Sequence, residues 1–131
     1  MTEPISSLPV LLAAMEPEQR AGEYVFVTGA DGLAPVAEAT VREPEGLSLV
    51  VERGRADEAG VAYDFVAAWI TLRVHSALEA VGLTAAVSAE LATAGIACNV
   101  IAGAHHDHVL VPADRADEAV GLLRRMARRS G

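Results

Sequence analysis

Residue types on which several structural classes depend are scarce in this chain. Its 131 residues include one cysteine, one tryptophan, two tyrosines and two phenylalanines. With a single cysteine, no disulfide can form within the chain, and Cys98, inside a predicted strand, is expected to be a buried apolar residue rather than a nucleophile. So few aromatic residues disfavour an RNA-recognition module, which stacks bases on aromatic side chains of a β-sheet.

Positive charge is scarce as well. All 10 basic residues are arginine, and 18 acidic residues bring the net charge to −8. Nucleic acids and anionic membranes bind through clustered positive charge, so we expect neither as a partner. No apolar run approaches the roughly 18 residues of a membrane-spanning helix. The apolar stretch at residues 8–15 is short and follows no basic residue, which argues against a signal peptide and predicts a cytoplasmic protein.

The second half of the chain carries the clearer secondary-structure pattern. In residues 69–75 apolar and polar side chains alternate, as in a half-buried strand with one polar face. Ser76 and Glu79 have the spacing of a capping box, which favours a short helical turn after the strand. Gly82 can end that turn with a positive φ.

A longer helix is then predicted, with Thr84 as its N-cap and Gly95 at its C-terminal end. Residues 98–102 and 109–111 are predicted to be the two strands of a hairpin. The last helix begins with Asp114 as N-cap and carries arginines near its end, as the helix dipole favours. The order β-α-β-β-α is that of a split βαβ, or ferredoxin-like, unit without its closing strand.

The first half shows a weaker version of the same order. Ser7 is predicted to cap a short helix, residues 24–28 to form a strand, and residues 37–42 and 47–51 to form a hairpin, followed by helix at 56–59. This order indicates a degenerate internal duplication. Because neither half has a full set of strands, we expect the halves to lend strands to each other or to a partner chain.

The stretches VHSALEAVGLTAAVSAELATAGIACNVIAG and HDHVLVP, with EGLSLVVE upstream, resemble a family of small bacterial tandem ACT-domain proteins. The resemblance implies an α+β fold of two ferredoxin-like (βαββαβ) modules in tandem, with antiparallel sheets and helices on one face. It divides the chain into a degenerate module at 1–62 and a second at 63–131. Because ACT domains regulate other proteins, it also implies a non-enzymatic, homodimeric sensor of a small amino acid or related metabolite, without a cofactor.

The resemblance also implies a ligand site, formed in this family by the loop after the first strand, the N-terminus of the first helix and the second strand. Backbone N–H groups at that helix N-terminus could donate hydrogen bonds to a carboxylate, and side-chain and strand oxygens could accept hydrogen bonds from an ammonium. Ala104 stands where the family would place an aromatic residue, which leaves the ligand's identity open. The predicted ligand-binding residues are His75, Ser76, Gly82, Leu83, Thr84, Asn99, Val100, Ile101, Asp107 and His108.

Two alternatives remain open from the sequence. The first is an interaction scaffold that keeps the fold without a ligand. The second is a metal site in the run from His105 to His108, which a ferredoxin-like sheet would bring close to His75; imidazole and carboxylate are common metal ligands. No set of nucleophile, base and orienting residue is visible, so no catalytic residue is predicted.

Overall fold

A computed structural model describes residues 4–131; residues 1–3, where the first predicted module begins, lie outside the described residues. Two short 3-10 helices interrupt the regular elements, at Asp31–Val36 and Ala113–Arg115. In chain order the helices and strands are α1 (Leu8–Ala14), β1 (Glu16–Thr28), β2 (Ala39–Glu43), β3 (Gly46–Glu52), α2 (Arg53–Ala59), β4 (Val66–Arg73), α3 (Leu83–Thr93), β5 (Asn99–Ala102), β6 (Asp107–Pro112) and α4 (Ala116–Ser130).

All six strands form one sheet in the order β2-β3-β1-β4-β6-β5, with every neighbouring pair antiparallel. The first half of β1 pairs with the end of β4, from Glu16 opposite Arg73 to Arg20 opposite Trp69. Its second half pairs with β3. The register between β1 and β4 shifts after Arg20, so β1 is a long strand with a bulge that serves both halves of the sheet.

This pairing shows how each module obtains its fourth strand. The N-terminal module runs β1, 3-10 helix, β2, β3, α2 and β4, and the C-terminal module runs β4, α3, β5, β6 and α4 before the first half of β1 closes it. Each therefore has the strand order 4-1-3-2 of a ferredoxin-like unit. The structure confirms the α+β antiparallel architecture and the expected loan of strands, which takes place within the chain.

The helices lie on one face of the sheet, where a core of fully or nearly fully buried side chains joins α1, α3 and α4 to β4 and β6. Burying one leucine in such a core stabilises the fold by about 1.5–3 kcal/mol. On the N-terminal module the core is smaller, and α2 buries only Ala56. The larger core includes Leu11, Met15, Ile70, Leu72, Val87, Leu91, Val109, Val111, Leu123 and Met126.

The opposite, helix-free face of the sheet differs from the polar face that the alternation at 69–75 predicts. Strand β4 spans Val66–Arg73, so it begins and ends earlier than the strand predicted at 69–75. Trp69 on this face is only 3% exposed, because it packs on Tyr24 and Leu110 and the Arg20 guanidinium carbon lies 4.2 Å from a Trp69 ring centroid. An arginine and a neighbouring aromatic ring therefore cover Trp69 at the middle of the face that helices leave open.

Several predicted boundaries move by a few residues. Helix α3 begins at Leu83 with Gly82 in the N-cap position, so Thr84 is not the N-cap. The segment after Ser76 forms a single turn at 78–79 rather than a helical turn. Ser7 does hold the N-cap position of α1, although its side chain makes no capping hydrogen bond. Within residues 4–131, no helix is both long and apolar enough to cross a bilayer.

Candidate functional site

A cavity of about 170 Å³ opens at one end of the C-terminal module. It lies between the loop that follows β4, the N-terminus of α3 and the start of β6. Its volume is below the roughly 300–1,000 Å³ of pockets that take drug-sized ligands, so a ligand here must be small. The lining residues are Ser76, Ala77, Leu78, Ala80, Gly82, Leu83, Thr84, Ala102 and Asp107.

The N-terminal segment of the chain fixes the loop that forms one wall. The Ile5 N–H donates to the carbonyl of His75 at 2.7 Å, and the Ala77 N–H donates to the carbonyl of Ile5 at 2.9 Å. These two bonds make a parallel bridge between Ile5 and Ser76, whose side chain is buried. Backbone hydrogen bonds to the N-terminal segment therefore hold this wall of the cavity.

Glycine is required where this loop enters α3. Gly82 has a φ of 106°, and a Cβ placed there would lie 2.8 Å from Leu8 Cδ2 in α1. No side chain caps the helix, and the first bond of its ladder runs from the Ala86 N–H to the Gly82 carbonyl at 2.8 Å. The N–H groups of the first turn precede that ladder and carry the positive end of the helix dipole.

Asp107 supplies a carboxylate on the other side of the cavity. Residue pairing places it opposite Leu72 and Ala102, on the face of the sheet that carries the helices. Burial raises the pKa of this carboxyl above its usual value, against the lowering effect of His108 and His106. A positively charged group bound in the cavity would favour the ionised form and lower that pKa again.

The structure brings five of the ten predicted residues to this cavity, namely Ser76, Gly82, Leu83, Thr84 and Asp107. The other five do not line it. Asn99 and Ile101 lie on the helix-free face, opposite Leu110 and His108. Asn99 is three positions from the cavity end of β5, about 10 Å along the strand. Val100 packs against the larger core, and His75 and His108 belong to the contacts described next.

The expected approach of His75 to the histidine run is confirmed, since the rings of His75 and His105 have their centroids 5.4 Å apart. His106 has a different partner: its Nδ1 lies 3.2 Å from the carbonyl oxygen of Val74. His108 lies further along β6 on the helix-free face. Among residues 4–131 there is no group of three or more histidine, cysteine, aspartate or glutamate side chains that could hold a metal ion.

His108 has its own partners. Its Nδ1 lies 3.2 Å from Trp69 Nε1, which donates to it, and 3.0 Å from the Thr71 hydroxyl oxygen. Burial lowers the pKa of His108, and the positive charge of Arg20 lowers it further. The neutral imidazole is therefore the form that these contacts favour, and the side chain fastens β6 to β4.

Four cavity residues were not predicted, namely Ala77, Leu78, Ala80 and Ala102. Three of them are alanines, which carry no sequence signal for a site. Leu78 and the neighbouring Val81 are 72% and 83% exposed, so two large apolar side chains stand at the rim. Only the structure shows this exposure, so the sequence carried no signal for these four residues.

A six-stranded antiparallel sheet that joins two interlocked ferredoxin-like units defines a tandem ferredoxin-like fold. Two family models described as ACT domain match the chain, one over residues 3–68 and the other over residues 64–125. The chain belongs to the ACT domain family, whose members are regulatory modules.

Solved structures agree with this assignment. A Vibrio cholerae protein of unknown function, described as a possible transport protein, is 46% identical and has a TM-score of 0.82, over 93% of this chain and 97% of that one. The ligand-free regulatory subunit of aspartate kinase from Thermus thermophilus is 10% identical, with a TM-score of 0.65 over 86% and 96% of the two chains. An Agrobacterium tumefaciens protein is 20% identical, with a TM-score of 0.66 over 86% and 89%. The last two likenesses concern the fold alone, and no curated protein matches the chain.

Proposed function

We propose that the protein is a non-enzymatic sensor whose C-terminal module binds a small amino acid, or a related zwitterionic metabolite, in the 170 Å³ cavity. One observation carries this proposal. The uncapped N-terminus of α3 and the carboxylate of Asp107 line the same small cavity, so a donor of positive partial charge faces an anion.

This arrangement matches the two charged groups of an α-amino acid. Backbone N–H groups at a helix N-terminus bind carboxylates, and an aspartate carboxylate binds an ammonium. The remaining lining residues are small or apolar, and the volume of about 170 Å³ leaves room for a short side chain only. The half-buried Asp107 costs the empty protein stability, and binding of an ammonium would remove part of that cost.

A regulatory effect requires a ligand that binds two states of the protein with different affinity. The cavity joins the loop after β4 to α3 and β6, so a bound ligand would hold that loop in one position. Leu78 and Val81 on the loop are exposed. A change in their position would alter the apolar surface offered to a second copy of the chain, which is how we expect ligand binding to change assembly.

The test is thermal unfolding of the purified protein against a panel of the twenty amino acids, with chelator and divalent metal ions as separate conditions. Ligand at about 100 times its Kd stabilises the folded state by roughly 2.7 kcal/mol, which raises the melting temperature by several degrees. We expect one or a few small amino acids to do so. A flat panel would contradict the proposal and favour a ligand-free scaffold.

Two variants then locate the site. Asp107→Asn keeps the shape of the side chain and removes the anion, so we expect at least a tenfold loss of affinity, or about 1.4 kcal/mol. Asn99→Ala is the matched control, because Asn99 is exposed and lies outside the cavity. Loss of binding in Asn99→Ala with unchanged binding in Asp107→Asn would move the site to the helix-free face. Sedimentation with and without the ligand measures the effect on assembly.

A further inference from the structure

Helix α1 belongs to neither ferredoxin-like unit, and its outer face is apolar. Its sequence, LPVLLAA, contains no polar side chain. On the inner side Leu11 and Leu12 pack into the larger core. On the outer side Val10 is 51% exposed, where a solvent-facing helix normally carries polar residues. A shallow groove of about 450 Å³ follows this outer face and is lined by Pro9, Val10, Ala13, Ala14 and Ser130.

A basic cavity adjoins the groove at Ala13. It has a volume of about 290 Å³ and lies between the end of α1 and the last two turns of α4. Arg124 and Arg128 of α4 line it four positions apart, so their side chains share one side of the helix. The groove and the cavity therefore form one surface, which we call the α1–α4 surface. Its residues are Pro9, Val10, Ala13, Ala14, Arg124 and Arg128.

The two arginines of this surface are not neutralised by neighbouring groups. Both are exposed, and in the part of the chain from residue 4 to 131 neither guanidinium takes part in a hydrogen bond or an ion pair. Glu16 also lines the cavity, without pairing with either one. By contrast, four arginines outside α4 pair with glutamates, namely Arg20, Arg53, Arg73 and Arg115.

The charge of the molecule is divided unevenly. Four of the 10 arginines lie in the last two turns of α4, which leaves 6 basic residues against 18 acidic ones in the rest of the chain. Only one of the four, Arg129, pairs with a carboxylate, that of Glu90 at 2.9 Å, within residues 4–131. The α1–α4 surface is therefore the positive end of an acidic molecule, and it attracts an acidic partner.

Two other occupants fit this surface less well. In a two-fold dimer packed through α1, Arg124 and Arg128 of both copies would approach one another, and like charges repel. An anionic membrane would require large apolar side chains to insert, and the groove is lined mainly by proline, valine and alanine. The acidic remainder of the chain would also be repelled by such a membrane.

We propose that the α1–α4 surface binds an acidic amphipathic helix of a partner protein. The apolar side of that helix covers Val10 and Ala13. Carboxylates one helical turn apart pair with Arg124 and Arg128, whose positions on α4 are about 6 Å apart along the axis. Each guanidinium can bind a carboxylate through two parallel hydrogen bonds. The surface shares no lining residue with the proposed amino-acid cavity, so the two proposals stand or fall separately.

A random library of peptides of about 16 residues, displayed on phage, tests the proposal with the full chain as bait. Peptides that also bind the triple variant Val10→Asp, Arg124→Glu, Arg128→Glu are discarded. We expect the remaining peptides to combine apolar residues at helical spacing with Asp or Glu three or four positions apart. Synthetic copies should bind the native chain at least about tenfold tighter than the triple variant, and less tightly as salt rises. No enrichment, or enrichment of peptides without acidic residues, would overturn the proposal.

A matched control carries the same three kinds of substitution elsewhere, namely Val41→Asp, Arg42→Glu and Arg55→Glu. Val41 is 59% exposed, and both of these arginines are exposed as well. This control should bind the selected peptides as tightly as the native chain, and an equal loss in the control and the triple variant would contradict the assignment. Arg124→Glu with Arg128→Glu, two exposed positions, decides the question even where Val10→Asp folds poorly.

Two further measurements distinguish the other occupants. Sedimentation of the native chain and the triple variant shows whether α1 holds two copies together. A dimer that the triple variant alone dissociates would assign the surface to a second copy and overturn the proposal. Co-sedimentation with phosphatidylglycerol vesicles shows whether the surface binds lipid. Vesicle binding that the triple variant loses and the control keeps would assign it to a membrane and overturn the proposal equally.

Discussion

The two modules place different chemistry at corresponding positions of one fold. In each, the third strand has the same burial pattern, so Leu49 and Val51 of β3 correspond to Val109 and Val111 of β6. By this register Asp107 corresponds to Leu47. The N-terminal module thus has an apolar side chain where the C-terminal module has its carboxylate, and it lacks the acceptor that an ammonium needs at that position.

The first helices of the two modules also differ, and again only the C-terminal one is suited to bind an amino acid. Helix α3 has 11 residues and an uncapped N-terminus. Its counterpart is a 3-10 helix of 6 residues, which contains Pro35 and begins with Asp31, whose negative charge already occupies the helix N-terminus. Only the C-terminal module therefore combines a free helix end with a facing anion. Both modules therefore have the ferredoxin-like fold, and by our proposal only the C-terminal module has an amino-acid site.

The largest expected difference between the modules is in stability. Leu91 on α3 is fully buried, whereas Leu33 on the 3-10 helix is only half-buried. Leu91→Ala leaves a core cavity and should cost roughly 2–5 kcal/mol of unfolding free energy. Leu33→Ala, the matched change, should cost less than half as much. Urea unfolding at equilibrium measures both free-energy losses. Equal losses would mean that Leu33 contributes as much to the stability of the fold as Leu91 does.

A second comparison concerns the glycine between the first strand and the first helix of each module. Gly82 and Gly29 both have positive φ, but only at Gly82 would a Cβ collide with a neighbour. Gly29→Ala should cost about 1 kcal/mol for the backbone alone. Gly82→Ala should cost about 1–3 kcal/mol more, because Leu8 must move.

Two quantities are measured for Gly82→Ala and Gly29→Ala: the free energy of unfolding and the affinity for the amino acid. Displacing Leu8 disturbs the cavity wall, so Gly82→Ala should also weaken the ligand while Gly29→Ala does not. The Leu8→Ala change in the Gly82→Ala background provides a control, since removing the Leu8 side chain relieves the collision. A double variant no more stable than additive single changes would show that Leu8 is not the cause.

The sequence predicts the second module better than the first, for physical reasons. Alternation and apolar periodicity mark β4, α3 and α4, because each has one buried stripe. The first half of β1 was missed: Glu16, Glu18 and Arg20 face away from the core, and Pro17 argues against a strand. Only its pairing with β4 makes that stretch a strand, and the pairing partners are 49 to 57 positions away in the chain.

The candidate site was predicted in the same uneven way. Gly82 and the start of α3 follow from local backbone signals, and Asp107 from the order of the strands. Asn99 does not line this cavity, because the sequence indicates its place in a strand but not the end of the strand at which the cavity lies; its role in binding stays a prediction.

The smallest expected effect is on the pH dependence of stability, at another pair of corresponding positions. His108 corresponds to Ser48, which does not titrate. Arg20, Trp69, Thr71, Ile101 and Asp107 surround the imidazole, and burial, followed by the charge of Arg20, lowers its pKa below 6.5. As the pH falls below that value, the unfolded chain takes up a proton that the folded chain binds less well, so stability falls.

His108→Ser copies the N-terminal module and should remove this part of the pH slope. At neutral pH it should also cost about 1 kcal/mol, through the lost hydrogen bond to Trp69. Unfolding followed by fluorescence of Trp69, the single tryptophan, measures both quantities between about pH 5 and pH 7.5. His75, His105 and His106 remain in the variant, so their contributions cancel in the difference. An unchanged slope would mean that His108 accepts its proton as readily in the folded chain as in the unfolded one, and that the Trp69 bond does not hold it neutral.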